Sequence, residues 1–172
     1  KKNFEDNIRE FEEIVVETNT MKINDWKRTF KYSIIVQSFH VLGLLQAIGI
    51  ILRYNFGIKY SELFNSILNF GLNNKDTVIG RELSNLDDLL NNVLNGIGFD
   101  QSVEGYEEVT WPPEEAMFLR IINNLDEFYL EIRKIVDKIL TNKKYDIDFI
   151  NELFKFQKNI LYHFDDGDEK NI

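Results

Sequence analysis

Tyr32-Ser-Ile-Ile-Val-Gln-Ser-Phe-His40-Val-Leu-Gly-Leu-Leu-Gln-Ala-Ile-Gly-Ile-Ile-Leu52 is a run of 21 residues without a formal charge, bounded by Lys31 and Arg53. Its length would allow a membrane span. Ser33, Gln37, Ser38, His40 and Gln46 oppose that reading, because polar side chains raise the cost of insertion more than a few Ile and Leu offset. A buried helix accounts for the same residues better. It should start at an Asn24 cap with Asp25 at the positive end of the helix dipole, and it is apolar nearly all round from Val41 to Leu52, as a helix surrounded by others is. Leu42, Leu45, Ile48 and Leu52 are its expected core positions. Gly43 and Gly49 weaken a helix by about 1 kcal/mol each relative to Ala, so they should admit a close neighbour or mark a break.

More helices flank this one. Tyr60, Leu63, Phe64, Ile67, Leu68 and Phe70 follow a helical stripe, with Ser61 as candidate cap and Gly71 as candidate stop. Thr77 can cap the next, in which Val78, Ile79, Leu83, Leu86, Leu89, Leu90, Val93 and Leu94 recur at helical spacing until Gly96. Pro112 and Pro113 fit the opening turn of a helix through about Leu140, with Glu114 and Glu115 at its positive end. Asp146 caps a final helix extending to Phe164. Before the central run, Phe4 to Phe11 reads as a short amphipathic helix, and Glu13 to Thr18 is a lone strand-like run. The expected fold is therefore all-α, a bundle of about five to six helices with one short orphan strand-like segment near the N-terminus. A connector occupies 1–23, the helical bundle domain 24–164 and a disordered acidic tail 165–172.

Composition bounds the function. In 172 residues, 44% are hydrophobic and 28% charged, with 14 Phe, which is the balance of one folded domain. The net charge of −9 disfavours attraction to nucleic acid or anionic lipid. With no cysteine, the chain has no disulfide, thiolate metal site, cysteine nucleophile or iron–sulfur ligand. It begins Lys1-Lys2-Asn3 without Met or an apolar leader, as a processed chain or an excised piece would.

Few residues carry chemistry. His40 and His163 are the only histidines, and neither has a second His or a Glu one helical turn away, so the helical two-ligand metal pattern is missing. His40 is either a core histidine satisfied by a neighbouring carbonyl or part of a ligand-facing polar stripe with Gln37 and Gln46. In an apolar groove such groups must pair with protein, water or ligand. These three are the candidate contacts to a substrate or to an adjoining domain. The acidic pairs Glu12-Glu13, Glu107-Glu108 and Glu114-Glu115 suit capping and solvation better than acid–base catalysis, which needs two carboxylates with separated pKa values in one cleft. Asp165 to Glu169 lacks the alternating ligands and closing Glu of a calcium loop. No phosphate-binding, nucleophile-elbow or zincin motif occurs. The 16 residues from Gly96 to Trp111 form a long acidic loop of the kind that is often functional or mobile.

The order of features nevertheless resembles a known family. The run Glu13-Ile-Val-Val-Glu-Thr-Asn-Thr-Met-Lys-Ile-Asn-Asp-Trp26, then Phe30, Phe39-His40-Val-Leu-Gly-Leu-Leu45 and Gly57-Ile-Lys-Tyr60-Ser-Glu-Leu-Phe64, looks like the region that follows the catalytic barrel in cobalamin-binding radical S-adenosylmethionine (SAM) proteins. Trp111-Pro-Pro-Glu-Glu-Ala-Met-Phe-Leu119, Leu125-Asp-Glu-Phe-Tyr129 and Phe156-Gln157 are similar to its distal helices. The resemblance implies a C-terminal helical accessory domain whose partner is the preceding catalytic domain of the same polypeptide. The iron–sulfur cluster, S-adenosylmethionine and cobalamin are expected only in that parent enzyme, which would be cytoplasmic. None of the family's CxxxCxxC cluster ligands can be carried over to this chain, which by itself should be catalytically silent. The resemblance also accounts for the strand-like run, whose pairing partners would lie in the barrel. A stand-alone helical interaction module and a small apolar-ligand carrier built on the central helix are the competing expectations.

Overall fold

The computed structural model describes residues 13–99 and 101–161. Among them the chain forms seven α-helices: α1 (Ile23–Val36), α2 (Gln46–Phe56), α3 (Tyr60–Asn73), α4 (Val78–Leu94), α5 (Pro113–Ile122), α6 (Leu125–Leu140) and α7 (Ile147–Asn159). A π-helical turn, Gln37–Val41, continues α1. The fold is an all-α bundle. The expected helix over Phe4–Phe11, the end of the last helix at Phe164, His163 and the acidic tail lie outside the described residues. Glu13 to Thr18 is irregular and pairs with no strand among the described residues, and Val15 is 70% exposed. A β-branched run without a neighbouring strand has nothing to exchange hydrogen bonds with.

The count exceeds the expected one because two long helices are each broken. The central run is not one helix. It starts one residue before the expected cap, with the Asp25 carboxylate accepting the Lys22 N–H at 3.3 Å. It then widens at Gln37–Val41 and turns a corner of 92° into α2. Gly43 makes the corner with φ +98°, a left-handed conformation that a side chain disfavours. Leu44, Leu45, Ile48 and Leu52 are fully buried beyond it, whereas Leu42 at the corner is only half-buried.

The second break is at Asn123-Asn124. The Asn124 side chain donates to the Arg120 carbonyl at 3.0 Å, the local competition for backbone groups that makes asparagine a helix terminator. The Asn124 carbonyl then accepts the first backbone hydrogen bond of α6, from the Phe128 N–H at 3.0 Å.

Two caps expected from sequence are present. Thr77 Oγ1 accepts from the Gly80 N–H at 3.0 Å, and Asp146 Oδ1 from the Asp148 N–H at 2.9 Å. Ser61 is not a cap, since α3 begins at Tyr60 after Lys59. Gly71 does not stop α3 either. It is buried within the helix, where a Cβ would come within 2.7 Å of Ile79 Cγ2 and Leu83 Cδ1, so its lack of a side chain lets α4 cross closely.

In the main core cluster α3 lies against α1, α4 and α6, and α2 lies against α7. Phe39 of the π turn meets Phe128 of α6 edge to face, with centroids 5.1 Å apart. Among the described residues no single helix is long and apolar enough to cross a membrane.

Candidate functional site

The corner between the π turn and α2 concentrates the unusual chemistry. Turning a helix through a right angle strands backbone groups at its end and at the next beginning, and here they are collected by side chains from the far end of the chain. Gln157 of α7 is fully buried. Its Nε2 donates to the Gly43 carbonyl at 2.8 Å. Its Oε1 accepts the N–H of Ala47 at 2.8 Å and, more weakly, of Ile48 at 3.4 Å. Tyr129 of α6 donates its hydroxyl to the Leu44 carbonyl at 2.9 Å. Burial pushes the Tyr129 phenol far above its ordinary value, so it stays neutral and a donor. On the other side of the turn, Ser38 Oγ donates to the Glu114 carbonyl at the start of α5, 2.8 Å away.

The corner also separates the three candidate contact residues. Gln46 is exposed at the start of α2, while Gln37 and His40 are half-buried in the π turn. The Gln37 and Gln46 side chains make no hydrogen bond among the described residues. His40 packs on α3 with its ring centroid 5.0 Å from that of Tyr60 and 6.3 Å from that of Phe64. Arg53 of α2 completes this edge, its guanidinium carbon 5.3 Å from the Tyr60 ring centre.

The His40 Nδ1 atom is buried and has no hydrogen-bond partner among the described residues. A core histidine satisfied by a neighbouring carbonyl would have one there. Buried polar atoms are overwhelmingly paired, and π turns inside helices are frequent at functional positions. His40 is therefore the member of the expected stripe with an unmet bonding capacity.

Two surface grooves lie apart from this edge. One, of about 760 Å³, runs between α3 and α6 past Asn69, Asn73, Lys134 and Lys138 over a floor of Phe70 and Ile135. The other, of about 600 Å³, lies between α6 and α7 beside Tyr129, Arg133 and Phe154. The loop from Gly96 to Trp111 is anchored at both ends. Gln101 and Trp111 form a single antiparallel pair, the Trp111 N–H donating to the Gln101 carbonyl at 2.9 Å. Val103 is buried against Ala116 and Leu119, and Phe99 stacks on Phe30 at 5.4 Å. The Gln101 side chain accepts from Arg120, which also grips the buried carboxylate of Glu82. Residues 104–110 are exposed.

Among the described residues no three His, Cys, Asp or Glu side chains converge as a metal site. The chain has no thiolate for an iron–sulfur cluster.

No family model matches the chain. The chain is similar to part of a cobalamin-dependent radical SAM methyltransferase. The relative is TokK of Streptomyces tokunonensis, 22% identical over 162 residues. The match takes in 87% of this chain but 24% of the methyltransferase, so the chain spans about a quarter of its relative's length.

The sequence reading places Tyr129 on a buried helix face without a partner for its hydroxyl, and it missed Gln157 and Glu131. Glu131 of α6 is buried and accepts the N–H groups of Val78 and Ile79 at 2.7 and 3.0 Å, closing the start of α4. The signal for the two missed residues is phase. Gln157 lies in step with Ile150, Leu153 and Leu161 on the buried face of α7, and Glu131 in step with Phe128 and Ile135. A polar residue on an apolar stripe must find a partner inside.

Proposed function

We propose that this chain is the helical accessory region of a cobalamin-dependent radical SAM enzyme, packed against the catalytic part of the same polypeptide and non-catalytic by itself. The asymmetric match carries the reading: nearly the whole chain is covered, but a small share of the methyltransferase. The all-α bundle fits an accessory region, and on this reading the ligands of the cluster lie elsewhere in the polypeptide. The iron–sulfur cluster, S-adenosylmethionine and cobalamin belong to that catalytic part, in a cytoplasmic enzyme.

The role of the bundle is to cover the open mouth of the barrel, shape the substrate site and keep water from a radical intermediate. Gln37, His40 and Gln46 are its candidate contacts. The π turn seats the His40 ring against Tyr60 and Phe64 at the edge of α3, and a side chain held by packing is what a precise contact needs.

The coding sequence upstream of Lys1 tests the proposal. A CxxxCxxC motif in a barrel-sized region continuous with this chain is the expected result. An open reading frame that starts at this chain with no such motif would overturn it in favour of a stand-alone interaction module or an apolar-ligand carrier.

A further inference from the structure

The groove between α3 and α6 is a single concavity of about 760 Å³ whose two walls differ in chemistry. On the α6 wall stand Lys134 and Lys138, one helical turn apart, so they rise from the same face with Cβ atoms about 6 Å from one another. Neither pairs with a carboxylate among the described residues, whereas the cations near them do: Arg133 holds Asp137, Lys155 holds Glu152 and Lys158 holds Asp126. The two ammonium groups are therefore a local positive pair within a chain of net charge −9.

The α3 wall carries Glu62, Ser66, Asn69 and Asn73, spaced by four, three and four residues and so aligned on one face over about 16 Å. Donors on this wall are spent within the helix. Ser66 gives its hydroxyl proton to the Glu62 carbonyl at 2.8 Å, and Asn73 gives its amide to the Asn69 carbonyl at 2.6 Å. What Ser66, Asn73 and the Glu62 carboxylate still offer is acceptors. Half-buried Phe70 and Ile139 add apolar contact to the same groove.

A ligand that satisfies both walls brings negative charge to α6 and N–H donors to α3. A phosphate or a polyanion supplies the first without the second, and the Glu62 carboxylate repels it. An extended polypeptide supplies both. Its backbone N–H groups are free to donate, and acidic side chains at i and i+2 lie about 6–7 Å apart on one side, matching the lysine pair. We propose that the α3–α6 groove binds an extended acidic peptide segment of a partner protein, with two carboxylates on Lys134 and Lys138 and backbone N–H groups on the Ser66 and Asn73 acceptors. This site does not depend on the accessory-region reading.

A phage-displayed library of random peptides, panned against the full-length polypeptide that contains these residues, tests the site. The recovered peptides should carry Asp or Glu at i and i+2. The double variant Lys134→Glu with Lys138→Glu should weaken their binding at least about tenfold in fluorescence polarisation, while Lys155→Glu leaves it unchanged. Exchanging the peptide's acids for lysines should restore binding to the double variant, which a misfolded variant could not show. Peptides without the acidic pair, acidic peptides indifferent to the charge reversal, or a library that yields no binder would each overturn the site. Succinate or inorganic phosphate binding as tightly as the peptide would assign the lysine pair to a small anion and overturn the peptide reading.

Discussion

Replacing Gln157 by alanine removes the clamp on the corner between the π turn and α2, and its effect follows from the contacts. Two well-formed hydrogen bonds are lost, to the Gly43 carbonyl and the Ala47 N–H, each 2.8 Å, with a weaker third to Ile48. A buried donor or acceptor left unpaired costs about 1–3 kcal/mol. Two such groups give roughly 2–6 kcal/mol, and water entering the vacated space would keep the value near about 3–4 kcal/mol. At about 2–4 °C per kcal/mol for a chain of this size, Tm should fall by roughly 6–16 °C. Urea and thermal melts followed at the helical circular-dichroism band measure both quantities. Gln46→Ala, at an exposed position, is the control and should stay within about 0.5 kcal/mol of wild type. Gln157→Glu adds a signed test. It buries a carboxyl whose pKa burial raises, and the protonated form regains a donor for the Gly43 carbonyl, so its deficit should shrink as pH falls. A Gln157→Ala variant as stable as wild type, or a Gln46→Ala variant equally damaged, would refute the clamp.

Three further outcomes follow from the same geometry. Leu45→Ala, at a fully buried position beyond the corner, should cost about 2–5 kcal/mol in a urea titration; a change in the surface range would mean α2 is peripheral. Gly80→Ala should destabilise by about 1–3 kcal/mol or more in spite of alanine's better helix propensity, because its Cβ would fall 2.0 Å from the Asn74 carbonyl oxygen, and a stabilised variant would contradict that packing. Burial raises the Glu131 pKa and outweighs its hydrogen bonds to the Ile79 and Val78 N–H groups, so the folded state holds the proton more tightly than the unfolded one. Its contribution is then fully present below the unfolded carboxylate pKa and is lost as pH rises through the higher folded value. Relative to Glu131→Gln, wild type should therefore gain stability as pH is lowered from neutral into the carboxylate range, and a difference that is flat or of opposite slope would show that the hydrogen bonds dominate.

What the sequence discloses here is mainly local. Stripes such as Leu83, Leu86 and Leu90 announce a helix because each residue sees its neighbours three and four positions away, and Thr77 and Asp146 cap within their own first turns. The breaks are a different matter. Gly43 in an apolar run is compatible with close packing or with a turn, and the choice is made by Gln157, 114 positions later. Asn123-Asn124 carries a local stop signal, but the continuing apolar periodicity on both sides conceals it. The contact stripe Gln37, His40 and Gln46 assumes one straight helix. A π turn and a 92° corner change the phase between its members, so only His40 keeps an unpaired buried atom at the α3 edge. Gln157 was visible as a polar residue in phase with Ile150 and Leu153, although its partners could be identified only from the fold.

The central claim is that this bundle serves a larger cobalamin-dependent radical SAM enzyme. The most direct measurement is to isolate the native polypeptide that contains these residues, anaerobically, and determine its intact mass together with its bound corrinoid and iron. The account predicts a single chain several times heavier than 20.4 kDa that retains cobalamin and an iron–sulfur cluster. A native chain of about 20.4 kDa, or a longer one that takes up neither corrinoid nor iron, would contradict it.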